Sequence, residues 1–331
     1  MIRVEHLTKR YGDFTAVDDL SFEIDEGHVY GFLGPNGAGK STTMNMMTGC
    51  LSASSGKVLI DGYDVFENPK EAKRLVGYLP EQPPLYLNET PLEYLHFVGE
   101  AKGLKGDDLK EQIQKVIEQT KIETVSEKRI AALSKGYKQR VGIAQALLGN
   151  PKVIILDEPT VGLDPIQIRE IRDLIRELGQ EHTVLLSSHI LSEVQTICEK
   201  ILIISHGKLM AFDEPENLET QLTTPNEIRL TTEATVGETI EYLNMLEDCS
   251  IGTVEDKENG LVEAVIHSGK REIYEVSREV FFIFADHKKA LLEMNLKKAN
   301  LEDIFIELTV EESEEVEEVE EVEEVEEGEA E

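Results

Sequence analysis

Apolar residues recur with two different periods along this chain, and the alternation between those periods outlines its architecture. Through Ile2–Arg10, Ala16–Ile24 and Val29–Leu33 they alternate with polar residues or run together in short blocks, the pattern of strands. A glycine-rich stretch follows, then a helical segment over Ser41–Thr48 and a strand at Lys57–Ile60 that ends at the turn pair Asp61-Gly62. From about residue 91 to 132 the period becomes helical. Pro91-Leu-Glu-Tyr-Leu-His-Phe-Val98 and Leu109-Lys-Glu-Gln-Ile-Gln-Lys-Val-Ile117 space their apolar residues three and four apart, with no strand pattern between them. Short apolar blocks return at Val153–Leu156 and Thr183–Leu186, each followed by a helical segment. A further block, Ile201–Ile204, turns through Ser205-His206-Gly207 into Lys208–Ala211. Strands and helices in this order predict an α/β core that opens with an antiparallel β subdomain and carries a helical insertion.

The core pattern closes near Leu222, so the first domain is expected over residues 1–222. After the polar break Thr223-Thr-Pro-Asn226, residues 226–310 mix strand patterns (Glu227–Leu230, Leu261–His267) with helical ones (Ile273–Ala285, Leu301–Leu308), which predicts a small α+β accessory domain. That domain shows no catalytic constellation, and His267 and His287 are expected at its surface. Residues 311–331 repeat Glu-Glu-Val, with Val316, Val319, Val322 and Val325 at a period of three. Such a period drifts around a helix without forming an apolar stripe, so the tail is expected to be disordered. A tail that binds cations or a basic partner is the alternative.

Length and composition fit this division. A chain of 331 residues suggests about two domains, and 40% apolar residues suffice to build them. The net charge is −33, but 14 glutamates of the last 21 residues carry much of it, leaving −19 on the rest. Even that remainder argues against a nucleic-acid partner. Cys50, Cys198 and Cys249 lie far apart and form no C-x-x-C pair, so buried thiols in a reducing cytoplasm are expected rather than disulfides or a metal site. No stretch approaches the ~18–20 apolar residues of a membrane span, and Met1-Ile-Arg-Val-Glu-His6 lacks the apolar core of a secretory signal. Any work at a membrane would need another chain to span it.

The clearest chemistry lies at Gly34-Pro35-Asn36-Gly37-Ala38-Gly39-Lys40-Ser41-Thr42, which has the spacing G-x-x-x-x-G-K-[ST]. Glycines let successive backbone N–H groups converge on a polyphosphate, Lys40 supplies a positive charge, and Ser41 offers a hydroxyl to magnesium. The strand before the loop and the helix after it place the helix's positive end at the anion. Farther on, Val153-Ile-Ile-Leu-Asp157-Glu158 is an apolar strand ending in two carboxylates. In that position Asp157 can hold magnesium through water and Glu158 can polarise an attacking water. Adjacent buried acids are costly unless they have such partners.

Between these segments, Leu133-Ser134-Lys135-Gly136-Tyr137-Lys-Gln-Arg140 opens a helix that continues through Leu148. It resembles the signature motif of ABC-type ATPases, with Ser134 and Gly136 at matching positions and Lys135 and Tyr137 departing from the commoner Gly and Gln. Tyr11 matches the family's adenine-stacking aromatic, Pro159 follows the catalytic acid, Gly162-Leu-Asp164-Pro165 looks like its D-loop, and His189 matches its switch histidine. The ordered set identifies residues 1–222 as similar to an ABC transporter ATPase subunit. The segment ending in Ala299-Asn-Leu-Glu-Asp-Ile-Phe-Ile-Glu-Leu-Thr309 resembles extensions of the exporter branch that includes drug-resistance and gliding-motility-associated ATPases.

The resemblance implies an ATP-hydrolysing subunit that uses ATP and Mg2+. Lys40 and the loop amides would bind phosphates, Ser41 and Asp157 would organise magnesium, Glu158 would act as base and His189 would contact the γ-phosphate. In Gly77-Tyr-Leu-Pro-Glu81-Gln82-Pro-Pro-Leu-Tyr86, alignment on the glycine and the Leu-Tyr end puts Glu81 where the family's magnesium-contacting glutamine sits, with Gln82 as the alternative. One copy of each motif implies a second ATPase subunit, identical or related, against whose nucleotide Ser134 and Gly136 would act. Integral-membrane permease subunits would hold the protein at the cytoplasmic face of the cell membrane. Two rival readings are a soluble ABC-type ATPase acting on ribosomes or DNA and a regulatory subunit that does not hydrolyse. The first is disfavoured by a single core without coiled-coil arms, the second by the presence of Glu158 and His189.

Overall fold

The computed structural model describes residues 1–221, 226–257, 260–269 and 271–297, which fall into two compact units, Met1–Pro215 and Glu216–Lys297. The division comes at Pro215, the first residue of helix α8 (Pro215–Gln221) and ahead of the break expected at 222. Leu222, the helix expected over Leu301–Leu308 and the tail 311–331 lie outside the described residues.

The first unit opens with β1 (Ile2–Tyr11) and β2 (Phe14–Ile24), paired antiparallel. After β3 (Val29–Leu33) and helix α1 (Lys40–Met47), β4 (Ser55–Ile60) pairs with β1 on its other edge, and the two-residue β5 (Tyr63–Asp64) completes the sheet in the order β2-β1-β4-β5. In β1, Ile2 and Val4 are buried on one parity and Leu7 on the other. The switch is a bulge around His6, whose φ is +50°, and it keeps the apolar side facing inward along a strand too long and twisted for simple alternation.

Helix α2 (Pro69–Arg74) leads into β6 (Val76–Leu79), and then come α3 (Pro91–Ala101), α4 (Gly106–Thr120) and α5 (Lys135–Leu147). They are followed by β7 (Val153–Leu156), α6 (Pro165–Gly179), β8 (Thr183–Ser188), α7 (Leu191–Ile197), β9 (Lys200–Ser205) and β10 (Lys208–Asp213). The second sheet has the order β10-β9-β3-β8-β7-β6, parallel throughout except for the β10–β9 hairpin. Every residue of β3, β7 and β8 is buried, which is why these strands read as continuous apolar runs rather than alternating ones. Phe22, Tyr30, Phe32, Met44, Met46 and Met47 join both sheets and α1 in one core.

In the insertion, α3 starts from a capping box in which Thr90 and Glu93 each satisfy the other's backbone N–H. Lys102, at its end, turns its ammonium onto the C-terminus of α5 and donates to the carbonyls of Gln145 (2.9 Å), Ala146 (3.2 Å) and Leu148 (2.7 Å). A cation there complements the negative end of the helix dipole, while burial pushes the Lys102 pKa down to about 8.

The second unit adds β11 (Glu227–Thr232), α9 (Val236–Leu243), β12 (Ser250–Asp256), β13 (Val262–His267), α10 (Ile273–Asp286) and β14 (Leu291–Lys297). Its sheet order is β12-β13-β11-β14 with every neighbouring pair antiparallel, the split βαβ arrangement. Ile228, Leu230, Ala264, Ile266, Val276 and Phe284 form its core. His287 is exposed, as expected, and packs its ring 4.2 Å from that of Tyr242. His267, expected at the surface, is instead half-buried, with Nδ1 enclosed and unpartnered, because it sits in the sheet beside Gly252. Of the cysteines expected to be buried, only Cys198 is, and burial raises its thiol pKa. Cys249 is partly covered, and Cys50 is exposed because it follows the end of α1 rather than lying within it.

Gly77 in β6 sets how closely α5 approaches the parallel sheet, since a Cβ there would stand 2.3 Å from the Ala146 carbonyl oxygen. Gly77→Ala is therefore expected to lower stability by about 1–3 kcal/mol as the helix is pushed off the strand. A urea denaturation midpoint equal to that of the unaltered protein would contradict this close approach.

Candidate functional site

Three consecutive strands of the parallel sheet deliver the candidate chemistry at their C-terminal ends. β3 runs into the glycine loop, β7 into Asp157 and Glu158, and β8, which lies between them, into His189. Ligands of α/β proteins bind beyond this edge of the sheet.

The glycine loop folds tightly against the start of the chain. Gly39 precedes α1 with φ +98°, and a Cβ on it would lie 2.5 Å from the Ala16 carbonyl oxygen. Gly37, at φ +87°, has open space where its Cβ would stand, with no protein atom within 4 Å. The two together form a concave backbone that a side chain would fill or distort. No side chain caps the N-terminus of α1, so its first N–H groups are free to receive an anion.

Lys40 is buried and donates to the carbonyls of Gly34 (2.7 Å) and Pro35 (3.0 Å), while its ammonium lies 3.8 Å from Glu158 Oε1. Loss of water lowers its pKa; the negative charges of Glu158, Asp157 and Glu81 oppose that shift.

Glu158 is a buried carboxylate on strained backbone, with φ +48°. Its oxygens meet His189 Nδ1 at 3.0 and 3.1 Å. Beneath it, one hydroxyl serves both acids: Ser187 Oγ accepts from the Glu158 N–H at 2.8 Å and donates to Asp157 Oδ1 at 2.6 Å. Asp157 is 2% exposed, so this bond replaces water that the carboxylate has lost.

A cavity of about 580 Å³ brings together Tyr11, Asn36, Gly37, Gly39, Lys40, Ser41, Thr42, Glu81, Glu158 and His189. Phe14 and Val161 line it as well. Tyr11 is half-exposed, with the Lys9 ammonium 5.1 Å from its ring centre. Gly34, Pro35, Ala38 and Asp157 do not face this cavity; the first three form the loop's body and Asp157 lies under Glu158. Gln82 does not reach it either, whereas Glu81 does.

Ser134 and Gly136 lie elsewhere. Ser134 caps α5 by accepting the Tyr137 N–H at 3.4 Å, and both residues line a separate cavity of about 440 Å³ with Tyr137, Asp164 and Gln167. Gln167 covers Gly136 so closely that a Cβ would meet it at 2.7 Å, and the Lys135 ammonium would lie 2.2 Å from a Cβ on Gly162.

The donor set suits magnesium. Among the described residues no group of three or more His, Cys, Asp and Glu could hold a metal. Magnesium asks for less, one or two protein oxygens with phosphates and water, and the Ser41 hydroxyl and the Asp157 and Glu81 carboxylates are oxygens of that kind.

Phe14 and Ser187 were not singled out from the sequence. Phe14 stands three residues beyond Tyr11, after the turn that joins β1 to β2, and Ser187 is one of two serines closing an otherwise apolar strand just before His189. Polar residues at the buried end of a central strand were the signal available for Ser187.

Comparisons with known proteins agree with this geometry. Residues 17–161 match the profile of a family described as ABC transporter. The chain is 35% identical over 318 residues to the bacitracin transport ATP-binding protein BcrA of Bacillus licheniformis, covering 93% of this chain and 97% of that protein. It is 31% identical over 310 residues to the linearmycin resistance ATP-binding protein LnrL of Bacillus subtilis, covering 93% and 98%. Among solved structures it is similar to the ATP-binding subunit of an ABC transporter, with 31% identity and a TM-score of 0.61 over 67% of this chain and 92% of that one. It is also similar to an ATP-binding cassette solved as a dimer in a post-hydrolysis state with ADP and phosphate, with 26% identity and a TM-score of 0.58 over 65% of this chain and 98% of that one.

Replacing Ser187 by Ala leaves the Glu158 N–H and an Asp157 oxygen without their buried partner. The expected cost is about 1–3 kcal/mol of stability, together with a fall in ATP turnover. If thermal unfolding and turnover both stay unchanged, the shared hydroxyl does not organise the two acids.

Proposed function

The chain belongs to the ATP-binding subunits of ABC transporters, and on that premise we propose how its residues divide the work. It is an ATPase that powers a membrane-embedded transporter. In the proposed assignment the adenine stacks on Tyr11, the polyphosphate rests on the N–H groups of Gly37–Thr42, and Lys40 neutralises its terminal charge. Glu158 takes the proton of the attacking water. His189, bonded to the same carboxylate, holds that carboxylate in place and faces the phosphate that leaves.

The observation carrying this reading is the placement of Glu158, whose carboxylate is shared by Lys40 at 3.8 Å and His189 at 3.0 Å inside the cavity that the glycine loop lines. A base held between a cation and an imidazole is oriented without being saturated, and an oriented base is what water activation requires. Magnesium would be held by the Ser41 hydroxyl with Asp157 and Glu81, and when bound it offsets charge on the phosphate oxygens. Asp157 keeps its orientation through Ser187, and Glu81 joins from the loop after β6.

A second ATPase subunit completes the machine in this proposal. Ser134 and Gly136 line a cavity of their own, apart from the one holding Lys40, so within one chain they serve no nucleotide bound at the glycine loop. Head-to-tail pairing brings the signature cavity of one subunit to the phosphate loop of the other. No described helix is long and apolar enough to cross a membrane. In this proposal permease partners, the usual companions of such subunits, span it, and this chain works at the cytoplasmic face. Similarity to a bacitracin transport protein and a linearmycin resistance protein supports export as the direction of transport.

Glu158→Gln is expected to keep ATP binding while cutting turnover by roughly 10²–10⁴-fold, the range for loss of a general base. Near-normal hydrolysis by the purified variant would remove Glu158 from its role.

Ser134→Arg is expected to leave ATP binding by the monomer intact and to prevent ATP-dependent dimers. The bulky cation blocks the signature cavity while Lys40 and its loop are untouched. Size-exclusion chromatography in the Glu158→Gln background reads this directly. Dimers that persist with ATP would overturn the trans arrangement.

A further inference from the structure

Behind the proposed catalytic pair lies a second carboxylate that the assignment above does not use. Glu193, in the first turn of α7, is 4% exposed, and each of its oxygens is engaged by a different part of the fold. Oε2 accepts a hydrogen bond of 2.5 Å from the Thr160 hydroxyl. Oε1 lies 3.4 Å from a terminal nitrogen of Arg172, on α6. The Arg172 Nε is itself buried and has no hydrogen-bond partner.

The chain positions of the three residues give the arrangement its meaning. Thr160 stands two residues after Glu158 and two before Gly162, whose φ is +68°. Glu193 stands four residues after His189. Arg172 belongs to the helix that Asp164 caps through the N–H groups of Ile166 and Gln167. One buried carboxylate therefore ties the loop carrying Glu158, the segment carrying His189 and the helix that follows Asp164.

We propose that Glu193 is a positioning residue, a brace that fixes the distance between Glu158 and His189 from behind and couples that distance to the Gly162–Asp164 loop. The inference rests on the assignment of Glu158 as base and of His189 as its partner. Glu158 and His189 already touch, at 3.0 Å, but a single contact with a half-exposed imidazole leaves the imidazole free to swing. The Thr160–Glu193 bond closes a second link between the same two segments, and two links restrict rotation where one does not. Because Glu193 is buried and ion-paired, breaking it is costly, so the two segments move together. When the Gly162–Asp164 loop shifts, Thr160 and Arg172 carry that shift through Glu193 to His189. Misplacement of catalytic groups by about 1 Å is worth up to ~10²-fold in rate, so a brace of this kind acts on turnover and not on nucleotide affinity.

The test uses the full chain with four single variants, Thr160→Val, Thr160→Ser, Glu193→Gln and Glu158→Gln, and the double variant Thr160→Val/Glu193→Gln, with ATP turnover, KM and thermal unfolding measured for each. Thr160→Val removes the hydroxyl at nearly constant volume and is expected to lower kcat by roughly ten- to a hundredfold with KM within about twofold. Thr160→Ser restores the hydroxyl and is expected to recover most of that loss. Glu193→Gln is expected to lower kcat in the same way, and the double variant Thr160→Val/Glu193→Gln to lose little beyond either single change. Equal turnover of Thr160→Val and the unaltered chain, or equal losses in Thr160→Val and Thr160→Ser, overturns the brace. A loss that appears in KM with kcat unchanged overturns it too. Glu158→Gln separates the two readings: if it still hydrolyses ATP, the underlying assignment fails, and if it does not while Thr160→Val is normal, only the brace fails.

Discussion

The structure depends on charge compensation at the buried end of a parallel sheet. β3 and β7 end with opposite charges, Lys40 after one and Asp157 with Glu158 after the other, and none of the three side chains keeps appreciable contact with water. Two buried carboxylates are costly without partners. They are held by Lys40 at 3.8 Å, by His189, and by the Ser187 hydroxyl that binds both residues at once. Lys40 in turn is stabilised by two loop carbonyls, which are at hand only because the glycine backbone curls around its ammonium. Each element thus supplies the partner that makes its neighbour's burial tolerable. In the proposed assignment, polyphosphate recognition draws on the same balance, with Lys40 attracting the anion beside the acids that neutralise it.

Much of this was legible in the sequence because the chemistry is local there. The glycine loop lies in nine consecutive residues and the two acids are adjacent, so spacing alone placed them on a strand–loop–helix and at a strand end. The fully buried strands Val29–Leu33 and Val153–Leu156 appeared with their observed limits, since short apolar runs bounded by turn residues have few other readings. What escaped depends on pairings across the chain. Ser187 is thirty residues from Asp157, and nothing in the sequence says that its hydroxyl points at two acids on the neighbouring strand. The strand Val76–Leu79 was missed because its four residues form no period of their own and gain strand geometry only by pairing with Val153–Leu156. In the second unit, Ser250–Asp256 and Leu291–Lys297 are edge strands with mostly exposed side chains, so the apolar alternation that identifies a strand was weak there. Cys50 and His267 exchanged places relative to expectation for the same reason. Burial is set by what packs on a residue, which residue type only biases.

The arrangement also explains why the glycine loop and Ser134 line separate cavities. α5 is anchored at its C-terminal end within its own subunit: Lys102 donates to the last carbonyls of the helix, and Gly77 lets Ala146 lie close on β6. Its N-terminus, with Ser134 and Gly136, is held away from the glycine loop by that packing and faces Asp164 and Gln167 instead. Bending α5 toward Lys40 would strain the three hydrogen bonds from Lys102 and open the contact with the sheet, so the separation is built into the subunit's packing. In the proposed dimer, a helix held in this way serves the nucleotide of the other subunit. Rigidity within each chain therefore leaves the distance between chains as the free coordinate of the proposed dimer. In the proposed arrangement, the Gly162–Asp164 loop, close after Thr160 in the chain, relates that coordinate to Glu158. A motor built this way places its flexible element between subunits and its precise geometry within them, so that closure assembles the site without deforming it.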